Sequence, residues 1–240
     1  VSWIEWARED RFLMGLYRPT TVGEGGRGYS LGGSRILSVP LDDKPITGLF
    51  TNEKRVAKNN RYLTRTTNLL RDDSDHIIMP ANRRGELDLW KVNLNDGKAE
   101  RIALGTSRTF YWFADNEGKP VMRFDCQRRC RRVAVYTPSE DGEDWKKIKT
   151  FKVKPDEDQE DFDFWPIASA PEDGQFYVVS DEDTDARKSI KIFDLEKEEF
   201  VTVKILKDKT EGEIPPKVFV DVVRADKAWS SGKTEIDDTG

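Results

Sequence analysis

One short stretch of the sequence places a serine in a pattern that hydrolases use for catalysis. Residues 28–32 read Gly-Tyr-Ser-Leu-Gly, which matches the motif G-x-S-x-G with Ser30 as its serine. In serine hydrolases this motif forms a sharp turn between a strand and a helix, and the helix N-terminus faces the developing oxyanion. The chain order Ser, Asp, His could be completed by His76 and by one of three aspartates, Asp72, Asp73 or Asp75.

The elements on either side of Ser30 do not suit this chemistry. Residues 19–28 are rich in glycine and contain no apolar run, whereas residues 34–41 alternate apolar and other side chains, which predicts a strand instead of a helix. His76 opens an apolar strand, where a histidine is usually structural. We therefore expect residues 28–34 to be a Gly-rich connection between two strands, with glycine supplying unusual backbone angles. We expect no catalytic residue in this chain.

An acidic stretch carries a spacing that could bind a cation. Asp181, Asp183 and Asp185 occupy alternate positions, as at the start of a calcium loop. The sixth and twelfth positions, however, lack the glycine and the glutamate that such a loop requires. The sequence favours a solvated acidic turn between two strands, with a weak ion site as the alternative.

A second acidic stretch, residues 155–164, contains five carboxylates between Asp156 and Asp161. Like charges at this density repel one another and keep a chain extended in water. We interpret this stretch as a linker between two sheets.

The two cysteines, Cys126 and Cys130, flank the densest basic cluster of the chain. A zinc site is not expected, because His76 is the only remaining soft ligand. The three residues between the cysteines could form a hairpin turn, so a disulfide and two free thiols both stay open. Neither a metal nor a cofactor is predicted.

The basic cluster consists of Arg128, Arg129, Arg131 and Arg132. Arginine can hold a carboxylate through two parallel hydrogen bonds. The cluster therefore either binds a peptide C-terminus or an acidic partner, or forms a solvated hairpin tip that faces the acids of another sheet.

Composition limits the classes of partner. The net charge of −5 gives no reason to expect nucleic acid as a partner, and no apolar run approaches the ~18 residues that span a bilayer, so no membrane partner is expected. Two cysteines are too few for a disulfide framework. Periplasmic or secreted and cytoplasmic locations both fit.

Strand patterns dominate the chain and recur as hairpins. Apolar runs of four to eight residues are bounded by Gly, Pro, Asn and Asp, which is typical of strands. Four hairpins are predicted, at residues 11–18 with 34–41, 75–82 with 87–94, 119–126 with 131–138, and 174–181 with 189–196. A polar turn and a further short apolar stretch follow each hairpin, and a strand candidate precedes most of them. Residues 55–70 could hold a turn or two of helix.

The hairpins recur about every 45 to 55 residues, and four strands per unit of this size is the signature of a β-propeller blade. A single four-stranded sheet cannot bury both faces, but stacked sheets can. The predicted fold is therefore an all-β propeller of about four four-stranded blades and the start of a fifth at residues 217–229, which favours part of a larger ring. Residues 1–225 are predicted to be one propeller domain, and residues 226–240 a polar tail or truncated blade.

Tryptophans lie in or beside many of the predicted strands. We expect them mainly to pack between blades, which requires large flat groups, while a minority could line a central channel. The residues concerned are Trp3, Trp6, Trp90, Trp112, Trp145 and Trp165.

Three parts of the chain together resemble a known family. Residues 111–125 read YWFADNEGKPVMRFD and lead into the strand at residues 131–138. Residues 89–102 contain the pattern V-x-L-x-x-G-K after a chain reversal, and residues 161–200 continue the same cadence. Over residues 1–225 the chain resembles the N-terminal β-propeller domain of bacterial prolyl oligopeptidase-type serine peptidases, which include dipeptidyl and acylaminoacyl peptidases.

This resemblance implies a non-catalytic role. In the family the propeller caps an α/β-hydrolase domain that carries the catalytic Ser, Asp and His, and nothing in this chain matches that domain. The implied function is to gate and help bind short peptides for a hydrolase domain of the same full-length protein. No motif identifies the substrate-binding residues.

Two other functions stay open at this point. One is a free-standing propeller that serves as a protein-interaction scaffold, and the other is hydrolysis through Ser30. An open propeller exposes sheet faces and strand edges, so we expect the isolated chain to self-associate.

Overall fold

The computed structural model describes most of the chain and divides it into two compact units. The first unit is Val1–Lys152, and the second begins at Val153. The described residues are 1–22, 29–139, 142, 144–156, 159–161, 164–180 and 189–201. Within these ranges the secondary structure is almost entirely strand, with one short helix.

The first sheet contains the long hairpin that the sequence predicts. Its four antiparallel strands follow chain order: β1 (Trp3–Arg8), β2 (Arg11–Val22), β3 (Tyr29–Pro40) and β4 (Thr47–Gly48). β2 and β3 pair continuously from Arg11 opposite Pro40 to Val22 opposite Tyr29. Residues 29–34 therefore belong to β3, and their interpretation as a Gly-rich connection is wrong. Pairing with β2 satisfies their backbone groups and overrides their weak strand propensity.

The second sheet has three strands: β5 (His76–Arg83), β6 (Glu86–Asn93) and β7 (Ala99–Ala103). In place of a preceding strand, Asn68 forms a single antiparallel bridge with Ile78. The N–H of Thr67 also donates to the Ile78 carbonyl at 2.8 Å. The helix α1 (Lys54–Asn59) precedes this segment and confirms the predicted turn or two of helix.

The third sheet has the four predicted strands, all antiparallel: β8 (Thr109–Ala114), β9 (Pro120–Gln127), β10 (Arg132–Pro138) and β11 (Trp145–Lys152). The hairpin of β9 and β10 closes at Gln127 opposite Arg132. Residues 128–131, between them, form the turn that holds the basic cluster.

The second unit begins with a small hairpin of β12 (Lys154–Asp156) and β13 (Gln159–Asp161). In chain order the hairpin lies between β11 and β14, where we predicted a linker at residues 155–164, but residues 154–156 and 159–161 pair with one another instead of staying unpaired. A four-stranded sheet follows, with β14 (Trp165–Ser169), β15 (Gln175–Ser180), β16 (Ser189–Asp194) and β17 (Glu199–Val201). The acidic turn at residues 181–186 and the expected fifth blade lie outside the described residues.

Both faces of the second sheet are buried, as stacking between blades requires. Ile77 and Met79 of β5 pack into a cluster with Leu13 and Ile36 of the first sheet. Ile78, which points to the other face of the same strand, packs in a cluster with Trp112 of the third sheet. The chain is therefore an all-β protein built from antiparallel β-propeller blades, and the predicted fold class is confirmed.

Tryptophans contribute to these contacts unequally. Trp90 packs edge-on against Phe50 with ring centroids 5.8 Å apart, and Trp112 donates its indole N–H to the Leu87 carbonyl at 2.7 Å. Both tryptophans are buried, which confirms the expected packing role. Trp6, by contrast, is 60% exposed and is not buried between the described sheets.

The turn after β6 docks against the loop that follows β4. Gly97 has a φ of +71°, and a Cβ at this position would collide with the Gly48 carbonyl oxygen. The Thr51 N–H donates to the Gly97 carbonyl at 2.9 Å. The Asn52 side chain bonds both the N–H and the carbonyl of Ala99, at 2.8 and 3.0 Å. Glycine is required at position 97 because the two backbones approach so closely.

Candidate functional site

The structure separates Ser30 from His76. Ser30 pairs with Thr21, and Pro40 lies ten residues further along β3. At about 3.3 Å per residue, roughly 33 Å of strand separates Ser30 from Pro40. The Pro40 end is the one near His76, because Arg11, opposite Pro40, bonds Asn95 at 2.7 Å.

Asn95 in turn donates to Asp75, next to His76, at 2.8 Å. The strand β3 also continues on both sides of Ser30, so no strand-to-helix turn presents this serine. The set of Ser30, an aspartate and His76 that the motif could have formed is therefore not assembled.

His76 contacts one of the three candidate aspartates. Its Nδ1 lies 2.9 Å from Oδ1 of Asp73, and because a carboxylate can only accept, Nδ1 is the donor. On the other side of the ring, Nε2 lies 3.3 Å from the amide nitrogen of Asn93, which donates to it. The imidazole is thus held from both sides by protein groups, and its Nε2 does not face a serine.

Asp73 is the centre of a charged network. Lys91 Nζ lies 2.9 Å from its Oδ2, and the backbone N–H groups of Asp75 and His76 donate to its Oδ1. Burial alone would raise the pKa of Asp73, but the hydrogen bonds from Lys91 and His76 outweigh burial and hold this pKa well below its usual range. The carboxylate is therefore ionised at neutral pH.

Arg8 ties this network to the first sheet. Its guanidinium lies against three backbone carbonyl oxygens, those of Leu70 at 2.9 Å, of His76 at 2.7 Å, and of Asp73. Burial lowers the pKa of Arg8, while the negative charge of Asp73 acts in the opposite direction. We name the set Arg8, Asp73, His76, Lys91 and Asn93 the aspartate–histidine junction. Its bonds join two sheets, which is a structural role.

The basic cluster has a different character. Cys126 and Cys130 form a disulfide with Cα atoms 4.5 Å apart, which decides between the two states that the sequence left open. Arg128, Arg129 and Cys130 have φ values of 50°, 59° and 61°. Each left-handed residue other than glycine costs about 1–2 kcal/mol. The disulfide therefore closes a turn that the backbone would not otherwise prefer.

Six cations gather around this turn. Arg128, Arg129 and Arg131 are exposed, and they are joined by Arg108 from the turn before β8 and by Lys152 from β11. We name the whole set the arginine tip: Arg108, Arg128, Arg129, Arg131, Arg132 and Lys152. No described acidic side chain forms an ion pair with any of the six. They stand together on a chain whose net charge is −5.

Two adjoining depressions flank the arginine tip. One has a volume of 790 Å³ and is lined by residues 107–110 and 126–130. The other has a volume of 490 Å³ and is lined by four arginines and Lys152. Neither lining includes an aspartate or a glutamate. Both depressions are open towards solvent.

The chemistry available here is anion binding. Each guanidinium offers five N–H donors in a planar fork that matches a carboxylate. Half-buried Phe110 adds an apolar wall to the larger depression. Among the described residues, no group of three or more His, Cys, Asp or Glu side chains could hold a metal ion. No helix in that part of the chain is long and apolar enough to cross a membrane.

Sequence reasoning found the four arginines of the turn but missed other members of both sites. Arg8 was missed because its partners are backbone carbonyls more than sixty residues away. Lys152 was missed although it lies opposite Arg132 on the neighbouring strand. The strand pairing of β10 with β11 would have identified Lys152, whereas no sequence signal points to Arg8.

Comparison with solved structures gives a weak structural likeness. No protein-family model matches the chain, and no curated protein matches it. A crystal structure of an uncharacterized protein from Listeria monocytogenes EGD-e is similar, with a TM-score of 0.38 and 11% sequence identity. The match covers 60% of this chain and 40% of that chain, so this chain spans less than half of that protein.

Proposed function

We propose that this chain is a non-catalytic β-propeller domain that admits and holds short peptides for a serine peptidase domain outside these 240 residues. One observation carries the non-catalytic part of the proposal: Ser30 and His76, which the motif would combine for hydrolysis, lie apart. His76 is hydrogen-bonded to Asp73 on one side and to Asn93 on the other, and Ser30 lies in the half of β3 that is remote from His76. The resemblance of residues 1–225 to prolyl oligopeptidase-type propellers supports the same function.

The construction of the sheets agrees with a binding role. The faces of the second sheet are occupied by packing against its neighbours, so the strand ends and turns are the parts left to contact a ligand. At one such turn the arginine tip offers donors that no described acid occupies. A peptide carries carboxylates that these donors can bind.

The native protein tests this proposal directly. An antibody raised against the chain is used to detect the protein in its source cells, and a fluorophosphonate probe is applied to the same extract. We expect a band much heavier than 27.6 kDa that takes the label, with a heat-denatured extract as the unlabelled control. An unlabelled band near 27.6 kDa would contradict the proposal.

The same chain tests hydrolysis through Ser30. We expect the purified 240-residue protein to show no esterase activity above a buffer control. If activity is present, the Ser30→Ala variant decides its source, because activity that survives the change does not depend on Ser30.

A protein-interaction scaffold is the second candidate, and one observation favours it. Ile4 and Trp6 lie on the same face of the edge strand β1 and are 62% and 60% exposed. Neighbouring apolar groups at an edge strand promote association. On this reading the chain self-associates at micromolar concentration, and Trp6→Ser shifts it towards monomer in light scattering. A sharp monomer peak for the unmodified chain would remove this candidate.

A further inference from the structure

We infer that the arginine tip is a binding site for an acidic peptide segment, with the peptide lying along the depression beside the disulfide turn. The inference rests on the proposed function in one respect, that the ligand is a peptide. It adds the chemical class of that peptide and the residues that select it.

Charge segregation is the first argument. A chain with a net charge of −5 places six cations around one turn, and no described acid pairs with them. Like charges this close repel one another, so the arrangement costs folding free energy in the free chain. A bound group with several carboxylates would remove that cost.

Preorganisation is the second argument. The disulfide between Cys126 and Cys130 fixes the turn, and three consecutive residues without glycine adopt the left-handed region. Strained backbone that the surrounding structure enforces clusters at binding sites. Here it holds Arg128 and Arg129 on one turn, where both line each of the two depressions. The cost of ordering the backbone of this turn is therefore met before a ligand arrives.

The neighbouring hairpin shows that a basic turn forms without a disulfide. The hairpin of β5 and β6 also carries two arginines, Arg83 at the end of β5 and Arg84 with a φ of 58°, and its turn is completed by Gly85 with a φ of 91°. This turn serves as the matched control, since it has the same charge at the equivalent hairpin of the next sheet.

The lining favours a peptide over nucleic acid. Phe110 places an apolar surface beside the arginines, which suits a peptide with an apolar residue among its acids. The net negative charge of the chain repels an extended polyanion at long range but affects a short peptide less. We therefore choose a peptide, and nucleic acid becomes an outcome of the test.

The test measures binding to the 240-residue chain by fluorescence anisotropy at about 0.15 M salt. The probe is a fluorescein-labelled, C-terminally amidated peptide of sequence Glu-Glu-Phe-Glu-Glu, and the control probe is Gln-Gln-Phe-Gln-Gln. We expect the double variant R128Q/R129Q to weaken binding of the acidic probe at least about tenfold, because two charge-assisted pairs are lost. The matched variant R83Q/R84Q should change it less than about twofold.

The outcomes separate the possible readings. Equal weakening in the two double variants, or no weakening in R128Q/R129Q, would overturn the inference. Tighter binding of a single-stranded oligonucleotide through the same arginines would also overturn it, in favour of nucleic acid. The variant C126S/C130S keeps every charge, and we expect it to weaken binding about threefold or more, because the turn loses its closure. Unchanged affinity there would exclude preorganisation.

This result is independent of the peptidase test. If the native band takes no fluorophosphonate label while R128Q/R129Q still loses the acidic probe, the peptidase proposal fails and the binding site stands. If the band is labelled while acidic and neutral probes bind alike, the binding site fails and the peptidase proposal stands.

Discussion

Two polar regions of the first unit, the aspartate–histidine junction and the arginine tip, differ in how their charges are paired. In the junction, opposite charges and hydrogen-bonding groups satisfy one another, as Arg8, Asp73 and Lys91 do around His76. In the arginine tip, six like charges share one surface. The junction therefore contributes to folding stability, whereas the tip provides a surface on which a bound anion would reduce the repulsion between like charges.

The backbone of the two regions differs in the same sense. The junction lies where β5 begins and where the N–H groups of Asp75 and His76 find a side-chain acceptor on Asp73. The turn of the arginine tip has three left-handed residues without glycine, held by a disulfide. Strained backbone that the surrounding structure enforces is typical of a region that presents side chains to a ligand.

The largest effect should come from breaking the junction at Arg8. Arg8→Ala leaves the carbonyls of Leu70, Asp73 and His76 without this donor, and we expect the free energy of unfolding to fall by about 3 kcal/mol. Urea denaturation followed by tryptophan fluorescence measures the change. The control Arg65→Ala removes an exposed arginine and should change stability by less than about 0.5 kcal/mol. Equal effects of the two variants would show that the junction is not a structural element.

The second effect tests the charge of Asp73. Asp73→Asn keeps an oxygen for the backbone donors but removes the partner charge of Lys91, and we expect a loss of about 2 kcal/mol at pH 7. The pKa of Asp73 is depressed in the folded state, so its contribution is present above the unfolded pKa of about 3.9 and is lost as pH falls below that value.

The stability difference between the unmodified chain and Asp73→Asn should therefore shrink between about pH 5 and pH 2, by up to about 1.4 kcal/mol per pH unit. Denaturation curves at several pH values measure it. His76, Lys91 and Arg8 face the carboxylate, so His76→Gln serves as a control that keeps the charge of Asp73. A stability difference that stays constant with pH would show that this network does not lower the pKa of Asp73 in the folded state.

The sequence could predict the parts of the fold that depend on local alternation. The hairpins were found because their second strands alternate apolar and other residues between turn residues, as Leu37 and Val39 do in β3. Residues 29–34 were predicted wrongly because their glycines indicate a loop, while pairing with a distant strand decides their state. Local propensity is a weak prior against a twelve-residue ladder.

The candidate sites likewise contain residues that local sequence could identify and residues that depend on distant packing. The four arginines of the tip were found because they are contiguous in the sequence, but the spacing of Cys126 and Cys130 fits both a disulfide and two thiols. The pairing of Asp73 with His76 was one of three open choices. The role of Arg8 could not be predicted at all, because it depends on the position of loop carbonyls that only the packing of two sheets determines.

The third effect tests the closure of the tip. C126S/C130S removes a crosslink across a very short loop, worth about 2 kcal/mol in the chain-entropy model. Relief of the left-handed backbone offsets part of this, so we expect a net loss of about 1 kcal/mol in the free energy of unfolding. Urea denaturation without reductant measures it. A loss as large as that of Arg8→Ala would mean that the tip is a structural element like the junction.

The smallest effect sharpens the comparison most. R128Q/R129Q removes two like charges from an exposed turn that has no described acidic partner, so we expect stability to change by less than about 0.5 kcal/mol, in the stabilising direction at low salt. Raising the salt concentration should erase this gain, because screening already weakens the repulsion in the unmodified chain. The measurement is the urea midpoint of both proteins at low and high salt, with R83Q/R84Q as the matched pair. A destabilisation of more than about 1 kcal/mol would place these arginines in the fold's own network, and the contrast between a junction that stabilises and a tip that binds would be lost.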